Sequence, residues 1–466
     1  MRRLRPYQLE AFKYSMQTEN PALFMEMRLG KTLVAIRRIK LYVPQDPKQG
    51  LKVLIIAPNS TLTSWEDELT LEGIGDPVHL AGKRADRLAK LVGPGNWFLI
   101  NPEGCIPIKD NTASGVFCEL LADHPWDVVL LDESTFIKNP NTKITKFLLN
   151  NFRDVPHRWI LTGTPNPEGP LDFFSQFKFL NNDETFKGNY WQFRLSRFQC
   201  FGHTWVPKKG TEKRVNQMVS KDAFVLKRRD VKLDNPKVYQ RRSLTMPDKL
   251  KESYENLKTT FIFQHKERIV STKWAGSQFA WLRQISSGFL PRDEDSDPEL
   301  IWDGKYQEVL NLLTGELKGE QVIIWFAFNH ELFYMARFLE ERLKLGVSDY
   351  GVITGKVPVN IRKELIRSFN KSRRRVMLMQ VECGKFGMDL SAADTAIYFS
   401  SPLSGMSRMQ SEDRILKVGE HSPLLYIDLV TKGTVDVHVL NLLRKKKTSM
   451  VTTLDIIQAM RKENRR

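Results

Sequence analysis

Two short runs in this sequence of 466 residues can do chemistry together, Leu29-Gly30-Lys31-Thr32 and Asp132-Glu133. The first follows a short apolar stretch and opens the helical pattern Leu33-Val34-Ala35-Ile36, the strand–loop–helix setting of a phosphate-binding loop. In such a loop the backbone N–H groups at the helix start cradle phosphates. The Lys31 ammonium neutralises β- and γ-phosphate charge, and the Thr32 hydroxyl reaches Mg2+. The full GxxxxGKT pattern is broken at Met25, which stands where the first glycine belongs. The second run ends the apolar stretch 127–131. An acid at the C-terminal tip of a strand suits a Mg2+ ligand, and the neighbouring Glu133 can orient or deprotonate an attacking water. An acidic pair facing solvent would read the same way in isolation. Its place about 100 residues after the loop, beyond several strand–helix alternations, makes the pair read jointly with the loop as nucleoside-triphosphate hydrolysis.

The elements that must position these residues are legible as short, almost continuously apolar runs, the signature of parallel strands covered on both faces. They fall at 23–25, 53–57, 97–100, 128–131 and 158–161, and again at 322–326, 351–353, 376–381, 396–400 and 424–430. Helical patterns alternate with them. Leu332, Met335, Ala336, Leu339 and Leu343 share one face, as do Ile361, Leu365, Ile366 and Phe369. From about 171 to 310 strand patterns vanish, and the text becomes helical, basic and aromatic; Leu250, Tyr254, Leu257 and Phe261 mark one amphipathic helix there. The acidic, proline-flanked stretch 291–298 reads as a loop or linker. No period of 20–50 residues repeats. The expected fold class is α/β, two lobes with parallel sheets and helical insertions between them.

Composition narrows the function. Hydrophobic residues make up 41% and charged residues 27%, an ordinary globular balance. No apolar run approaches the roughly 18–20 residues that cross a bilayer, and the basic N-terminus has no apolar segment behind it, so a secretory signal is not expected. Cys105, Cys118, Cys200 and Cys383 are scattered without a CxxC pair, so free thiols in a reducing compartment are expected. The 71 Lys and Arg exceed the 54 Asp and Glu, a formal +17. Residues 181–250 hold 16 basic and 7 acidic side chains, and residues 431–466 hold 9 and 3. The first stretch includes Lys208-Lys209 and Lys227-Arg228-Arg229, interleaved with Tyr190, Trp191, Phe193, Phe198, Phe201 and Trp205; the second includes the run 444–447. A phosphate backbone takes such a field largely without regard to base sequence, and a solvated surface over an aromatic core fits the same composition.

The order of motifs resembles the Swi/Snf-like DNA-dependent ATPases and translocases of the superfamily-two helicases. Leu4-Arg5-Pro6-Tyr7-Gln8 is similar to their N-terminal motif, whose Gln reads adenine. Glu26-Met27-Arg28-Leu29-Gly30-Lys31-Thr32 is similar to EMGLGKT. Ala57-Pro58-Asn59-Ser60-Thr61-Leu62 with Trp65 resembles the motif touching the tracked strand. Leu131-Asp132-Glu133-Ser134-Thr135 and Ile137-Lys138-Asn139-Pro140 resemble the DEAH-x-IKN segment, and Leu161-Thr162-Gly163-Thr164-Pro165 the third motif. In the second half Gly387-Met388-Asp389-Leu390-Ser391-Ala392-Ala393-Asp394 resembles the fifth motif. Gln410, Asp413, Arg414, Lys417 and Gly419 follow the spacing of the sixth, QxxDRxxRxGQ. The likeness runs from about residue 2 to residue 446.

The resemblance implies two RecA-like lobes, expected at 1–225 with a helical protrusion near 175–225, and at 226–466 with a protrusion near 245–300 and a basic C-terminal segment. It implies ATP and Mg2+ as cofactors, held between the lobes. Gln8, Arg28, Leu29, Gly30, Lys31 and Thr32 would bind ATP, Thr32 and Asp132 the metal. Glu133 would be catalytic with Arg414, the expected arginine finger, and Lys417. Thr162, Gly163 and Thr164 would couple the nucleotide to the nucleic acid. Pro58, Asn59, Ser60, Lys208, Lys209, Arg228 and Arg229 would lie along duplex or branched DNA. Four positions depart from the family: Arg28 for a loop glycine, which either contacts phosphate or faces solvent; Ser134-Thr135 for Ala-His; Lys417 for the second arginine; and Glu420 for Gln. Lysine is a point charge without the guanidinium fork.

The expected protein is a monomeric motor without appended domains, in the cytoplasm of a bacterial or phage-infected cell. It would work in replication, recombination or repair, by fork or junction remodelling or branch migration, with no membrane partner and with other recombination or replication proteins near it. An RNA helicase or strand-separating helicase stays open, as does a DNA-binding clamp with a degenerate ATP site.

Overall fold

The computed structural model describes residues 2–48, 50–106, 113–167, 169–201, 204–231, 235–260, 262–265, 268–271, 275–290, 299–385, 388–417 and 422–444. Phe261, the 291–298 stretch, Gly387, Gly419, Glu420 and the basic residues 445–447 lie outside them. The chain divides into two compact units, Met1–Leu233 and Asp234–Arg466.

The strands of the first unit are β1 (Ala22–Met25), β2 (Val53–Ile56), β3 (Val78–His79), β4 (Trp97–Ile100), β5 (Val128–Asp132), β6 (His157–Leu161), β7 (Phe198–Phe201), β8 (Thr204–Pro207) and β9 (Ala223–Leu226). Among the described residues seven of them form one sheet ordered β3-β4-β2-β5-β6-β1-β9, every pair parallel. Side chains alternate across it as strand geometry demands. Leu54, Ile56, Phe98, Ile100, Val129 and Leu131 enter one core, while Val53, Ile55, Trp97, Leu99, Val128 and Leu130 enter the other. Both faces being buried explains the unbroken apolar runs.

The second unit repeats the design with β10 (Lys237–Leu244), β11 (Ile262–His265), β12 (Arg268–Ser271), β13 (Val322–Phe326), β14 (Tyr350–Ile353), β15 (Val376–Gln380), β16 (Thr395–Tyr398) and β17 (Leu424–Thr431). Its parallel sheet is ordered β10-β17-β16-β13-β15-β14. Ile323, Trp325, Met377 and Met379 pack on one face, and Val322, Ile324, Val376 and Leu378 on the other. The two-lobe α/β class is as expected, and the ten predicted strands all form, within two residues at each end.

The middle of the chain differs from expectation. It is not free of strands: β9 and β10 join the two large sheets, and β7–β8 and β11–β12 are antiparallel hairpins. The expected boundary at 225/226 falls inside β9, whose Leu226 pairs with Met25. Ile361, expected to share one helical face with Phe369, is exposed, whereas Phe369 is fully buried. No described helix is long and apolar enough to cross a membrane.

Candidate nucleotide site

In a parallel sheet all strands end on the same edge, and the loops leaving that edge build the site. Strands β5, β6 and β1 are neighbours, so Asp132-Glu133, Thr162 and the loop after Met25 leave the sheet side by side. Backbone pairing continues past the strands, with Thr162 N–H donating to the Leu23 carbonyl at 3.2 Å.

The loop 26–30 enters helix α2 (Lys31–Ile39), preceded here by α1 (Pro6–Ser15). Gly30 sits at the N-cap with φ 78°, and no side chain caps the helix, a helix start whose geometry suits an anion. Arg28 is also left-handed, with φ 67°. A side chain there strains the backbone, which explains why a glycine is the economical choice at this position. Gln8 lies against the loop: its Nε2 donates to the Leu29 carbonyl at 3.1 Å, and its Oε1 accepts from Arg5 N at 3.0 Å. A Cβ on Gly30 would meet Gln8 Nε2 at 2.2 Å. The residue expected to read adenine is thus also the one that buttresses the loop.

Lys31 Nζ stands 3.3 Å from Glu133 Oε1, and the Thr162 hydroxyl donates to Glu133 Oε2 at 3.0 Å. Glu133 therefore bridges the loop of β1 and the end of β6. Its backbone is left-handed, φ 53°, an uncommon state for glutamate that recurs where surroundings fix a functional geometry. Thr162 is fully buried, and its Oγ1 accepts from Thr164 N at 3.1 Å. A Cβ on Gly163 would touch Met25 O and Met27 N, each at 3.4 Å, so the 162–164 turn runs along the phosphate loop.

Asp132 is 4% exposed. Burial pushes its carboxyl above the usual carboxylate range, and the Lys31 charge opposes that shift. Its oxygens accept from Trp65 Nε1 at 2.9 Å and from Glu133 N at 3.1 Å. Trp65 belongs to α3 (Asn59–Leu71), whose N-cap is Pro58. Asn59 and Ser60 are the first residues of that helix. The Thr32 hydroxyl at the start of α2, the Asp132 carboxylate at the end of β5 and the Lys31 ammonium are the hard oxygen donors and the cation that a Mg2+-nucleotide requires.

Other expected positions fall elsewhere. Arg228 is buried against the phosphate loop: its N–H donates to Glu26 Oε2 at 2.9 Å and its guanidinium to the Met27 carbonyl at 3.4 Å. That placement moves it from the nucleic-acid set to the nucleotide loop. Lys208 and Lys209 are exposed, with Lys208 Nζ donating to the Leu195 carbonyl at 2.9 Å. The side chains of Ser60 and Arg229 lie outside the described residues. In the second unit Arg414 is 4% exposed, and its Nε donates to the Gly384 carbonyl at 2.7 Å. Lys417 Nζ is 2.7 Å from Asp394 Oδ1, and its backbone N–H donates to Asn235 Oδ1 at 2.9 Å.

Two functional contacts were not read from sequence. Trp65 holds Asp132, and Gln176 joins the motifs: it accepts from Ser134 Oγ at 2.6 Å and donates to the Pro165 and Asp172 carbonyls, each at 2.7 Å. A glutamine set among the phenylalanines of the helix Phe173–Asn181 was the available signal for Gln176, since a buried amide demands partners.

Two family patterns and several known proteins match this sequence. The SNF2-related domain pattern matches residues 7–72 and 112–288, and the helicase conserved C-terminal domain matches 304–419. The ATP-dependent DNA helicase DDM1 of Arabidopsis thaliana is 26% identical over 94% of this chain and 60% of its own length. The uncharacterized ATP-dependent helicase MG018 of Mycoplasma genitalium is 26% identical over 97% of this chain and 42% of its own. The CHD3-type chromatin-remodeling factor CHR7 of Arabidopsis thaliana is 25% identical over 95% and 37% respectively. This chain thus spans between 37% and 60% of the length of these relatives. A solved SWI2/SNF2 ATPase core of Sulfolobus solfataricus in complex with dsDNA is 20% identical over 99% of this chain and 95% of that one, with a TM-score of 0.44, too low to compare geometry. With its phosphate loop, its Asp-Glu pair and both matched domains in family order, the chain belongs to the SNF2-related family.

Proposed function

We propose that the chain is an ATP-driven motor that tracks along duplex or branched DNA. The observation that carries this reading is the Glu133 carboxylate bridging Lys31 and Thr162. A phosphate arriving at the loop competes for Lys31 and releases Glu133 to position water, while Thr162 registers the exchange on the 162–164 turn. Lys31, the α2 N–H groups and Gln8 bind ATP, and Thr32 and Asp132 hold Mg2+, whose charge would neutralise the phosphates when bound. Arg414 and Lys417 are assigned to stabilising charge on the transferred phosphoryl group. The Arg414 Nε donates to the Gly384 carbonyl, a contact that orients the guanidinium. Pro58, Asn59, Ser60, Lys208 and Lys209 are assigned to the DNA backbone, which explains tracking without base specificity. Replication, recombination or repair in a bacterial or phage-infected cytoplasm is the setting that suits a monomeric motor of this charge.

Steady-state ATP hydrolysis with no nucleic acid, single-stranded DNA, duplex, a branched junction and RNA, beside a Glu133→Gln control, tests this. Stimulation by duplex or junction DNA that is lost in the control is expected. Stimulation by RNA alone would make the protein an RNA helicase. DNA binding without turnover would make it a clamp.

A further inference from the structure

The segment from Thr185 to Thr211 holds no Asp or Glu and carries Lys187, Arg194, Arg197, Lys208 and Lys209. It folds as the helix Tyr190–Arg197 running into the hairpin β7–β8. Tyr190, Phe193 and Phe198 anchor it: Phe193 and Phe198 are buried in the first unit's core, and Tyr190 packs edge-on against Phe174. What it leaves outside is unusual. Trp191 is 58% exposed and Phe201 is 61% exposed, with Leu195 one helical turn from Trp191 also 58% exposed. The Arg194 guanidinium lies 3.9 Å over the Trp205 ring and 5.4 Å from the Trp191 ring. It is thereby fixed beside an open indole face. In the hairpin Trp205 pairs with Cys200, so strand alternation sends Phe201 to the other side of the ribbon.

We propose that this element binds unpaired bases by stacking, with Trp191 as the ring on the Arg194 side, Phe201 as a second, separate ring on the other side of the ribbon, and Arg194, Lys187 and Lys209 as the phosphate field. Charge complementarity selects the occupant. An acid-free basic segment repels a basic partner and favours a polyanion, and exposed rings held on a rigid support are what a sequence-tolerant single strand stacks on. Duplex DNA hides its base faces and gains nothing from these rings. The proposal rests on the nucleic-acid reading above but goes beyond it, because it assigns a preference for gapped or forked DNA to one protruding element.

The test is fluorescence anisotropy of a labelled oligo(dT) and of a blunt hairpin duplex with the full chain, wild type against W191A, F201A and K209Q. Both aromatic positions are exposed, so the variants should melt as wild type does. Each aromatic variant is expected to weaken oligo(dT) binding about tenfold, with duplex affinity unchanged. K209Q should weaken both ligands and flatten the salt dependence. Unchanged oligo(dT) affinity in W191A and F201A overturns the stacking role, and so does an equal loss on both DNAs. A lower oligomeric state of W191A with unaltered oligo(dT) binding overturns it too, and gives the face to a second copy. The two readings fail separately. DNA-stimulated ATP hydrolysis with unaltered oligo(dT) binding in the variants removes only the stacking role; selective loss of oligo(dT) binding without any DNA-stimulated hydrolysis removes only the motor.

Discussion

The indole Nε1 of Trp65 donates to Oδ2 of Asp132 at 2.9 Å, with Trp65 1% exposed and Asp132 4% exposed. Helix α3 is thereby tied to the carboxylate at the tip of β5. Trp65→Phe keeps most of the volume and removes the donor, leaving one oxygen of a buried carboxylate without that partner, a change worth about 1–3 kcal/mol. With Asp132 less well oriented, the Mg2+ concentration giving half-maximal ATP hydrolysis should rise about three- to tenfold, while the rate at saturating Mg2+ changes less than about twofold. A Mg2+ titration of wild type and variant decides this. An unchanged midpoint would show that the indole only fills space.

Ser134 stands where the family carries alanine, and its hydroxyl is spoken for by Gln176. Ser134→Ala should fold, because it restores the family residue, yet it leaves Gln176 Oε1 unpaired in a fully buried position. The cost should be about 1–2 kcal/mol, or roughly 2–6 °C in the melting temperature of the first unit. Since Gln176 also holds the Pro165 carbonyl, stimulation by DNA should fall several-fold with basal hydrolysis within about twofold. Equal loss of basal and stimulated rates would contradict a coupling role.

Acid should weaken the first unit in a defined window. Burial lowers the His124 pKa from 6.5 to about 4, with the Lys52 charge adding to the effect. Its ring stacks on Trp126 at 4.0 Å, and its buried Nδ1 has no hydrogen-bond partner. The unfolded chain takes up this proton near pH 6.5 and the folded chain only near pH 4. Stability is therefore whole above about 6.5 and declines as pH falls toward 4. Burial lowers His157 as well, in the same sense. Thermal melts at stepped pH should show that decline, and His124→Phe should flatten it.

In the second unit Arg408 is gripped by Asp428 at 2.5 and 3.3 Å and by Glu412 at 2.7 Å, and it stacks 3.4 Å over the Tyr398 ring. Asp428 is 1% exposed, so Arg408→Ala strands a buried charge, at a cost of about 3–5 kcal/mol. Chemical denaturation should resolve an early transition of the second unit in this variant. Arg408→Lys keeps the charge but loses the fork, and should fall between the two.

How far the sequence could be read follows from these contacts. The central strands were legible because a sheet buried on both faces writes unbroken apolar runs, as in Val128 to Leu131. Strand β10 was not, because an edge strand with half its residues exposed reads Lys-Val-Tyr-Gln-Arg-Arg and mimics a basic surface. The residues of the phosphate loop and of the Asp-Glu pair were legible from local spacing. The indole on Asp132 and the amide on Ser134 were not, since the first partners are 67 residues apart and the second 42. The same limit hid Arg228, whose basic neighbours Lys227 and Arg229 suggested DNA while the fold turned it onto Glu26.

The pairing of β9 with β1 has a consequence for how the protein is made. Synthesis delivers β1 and the phosphate loop first, but the strand that covers the edge of β1, and the arginine that holds Glu26, emerge about 200 residues later. Until then the nascent chain presents an open parallel edge, Ala-Leu-Phe-Met, to any neighbouring strand. Nucleotide should accordingly be captured late during translation, when residues 223–228 have left the ribosome. A chaperone that shields extended apolar segments would find its binding site on the earlier intermediates.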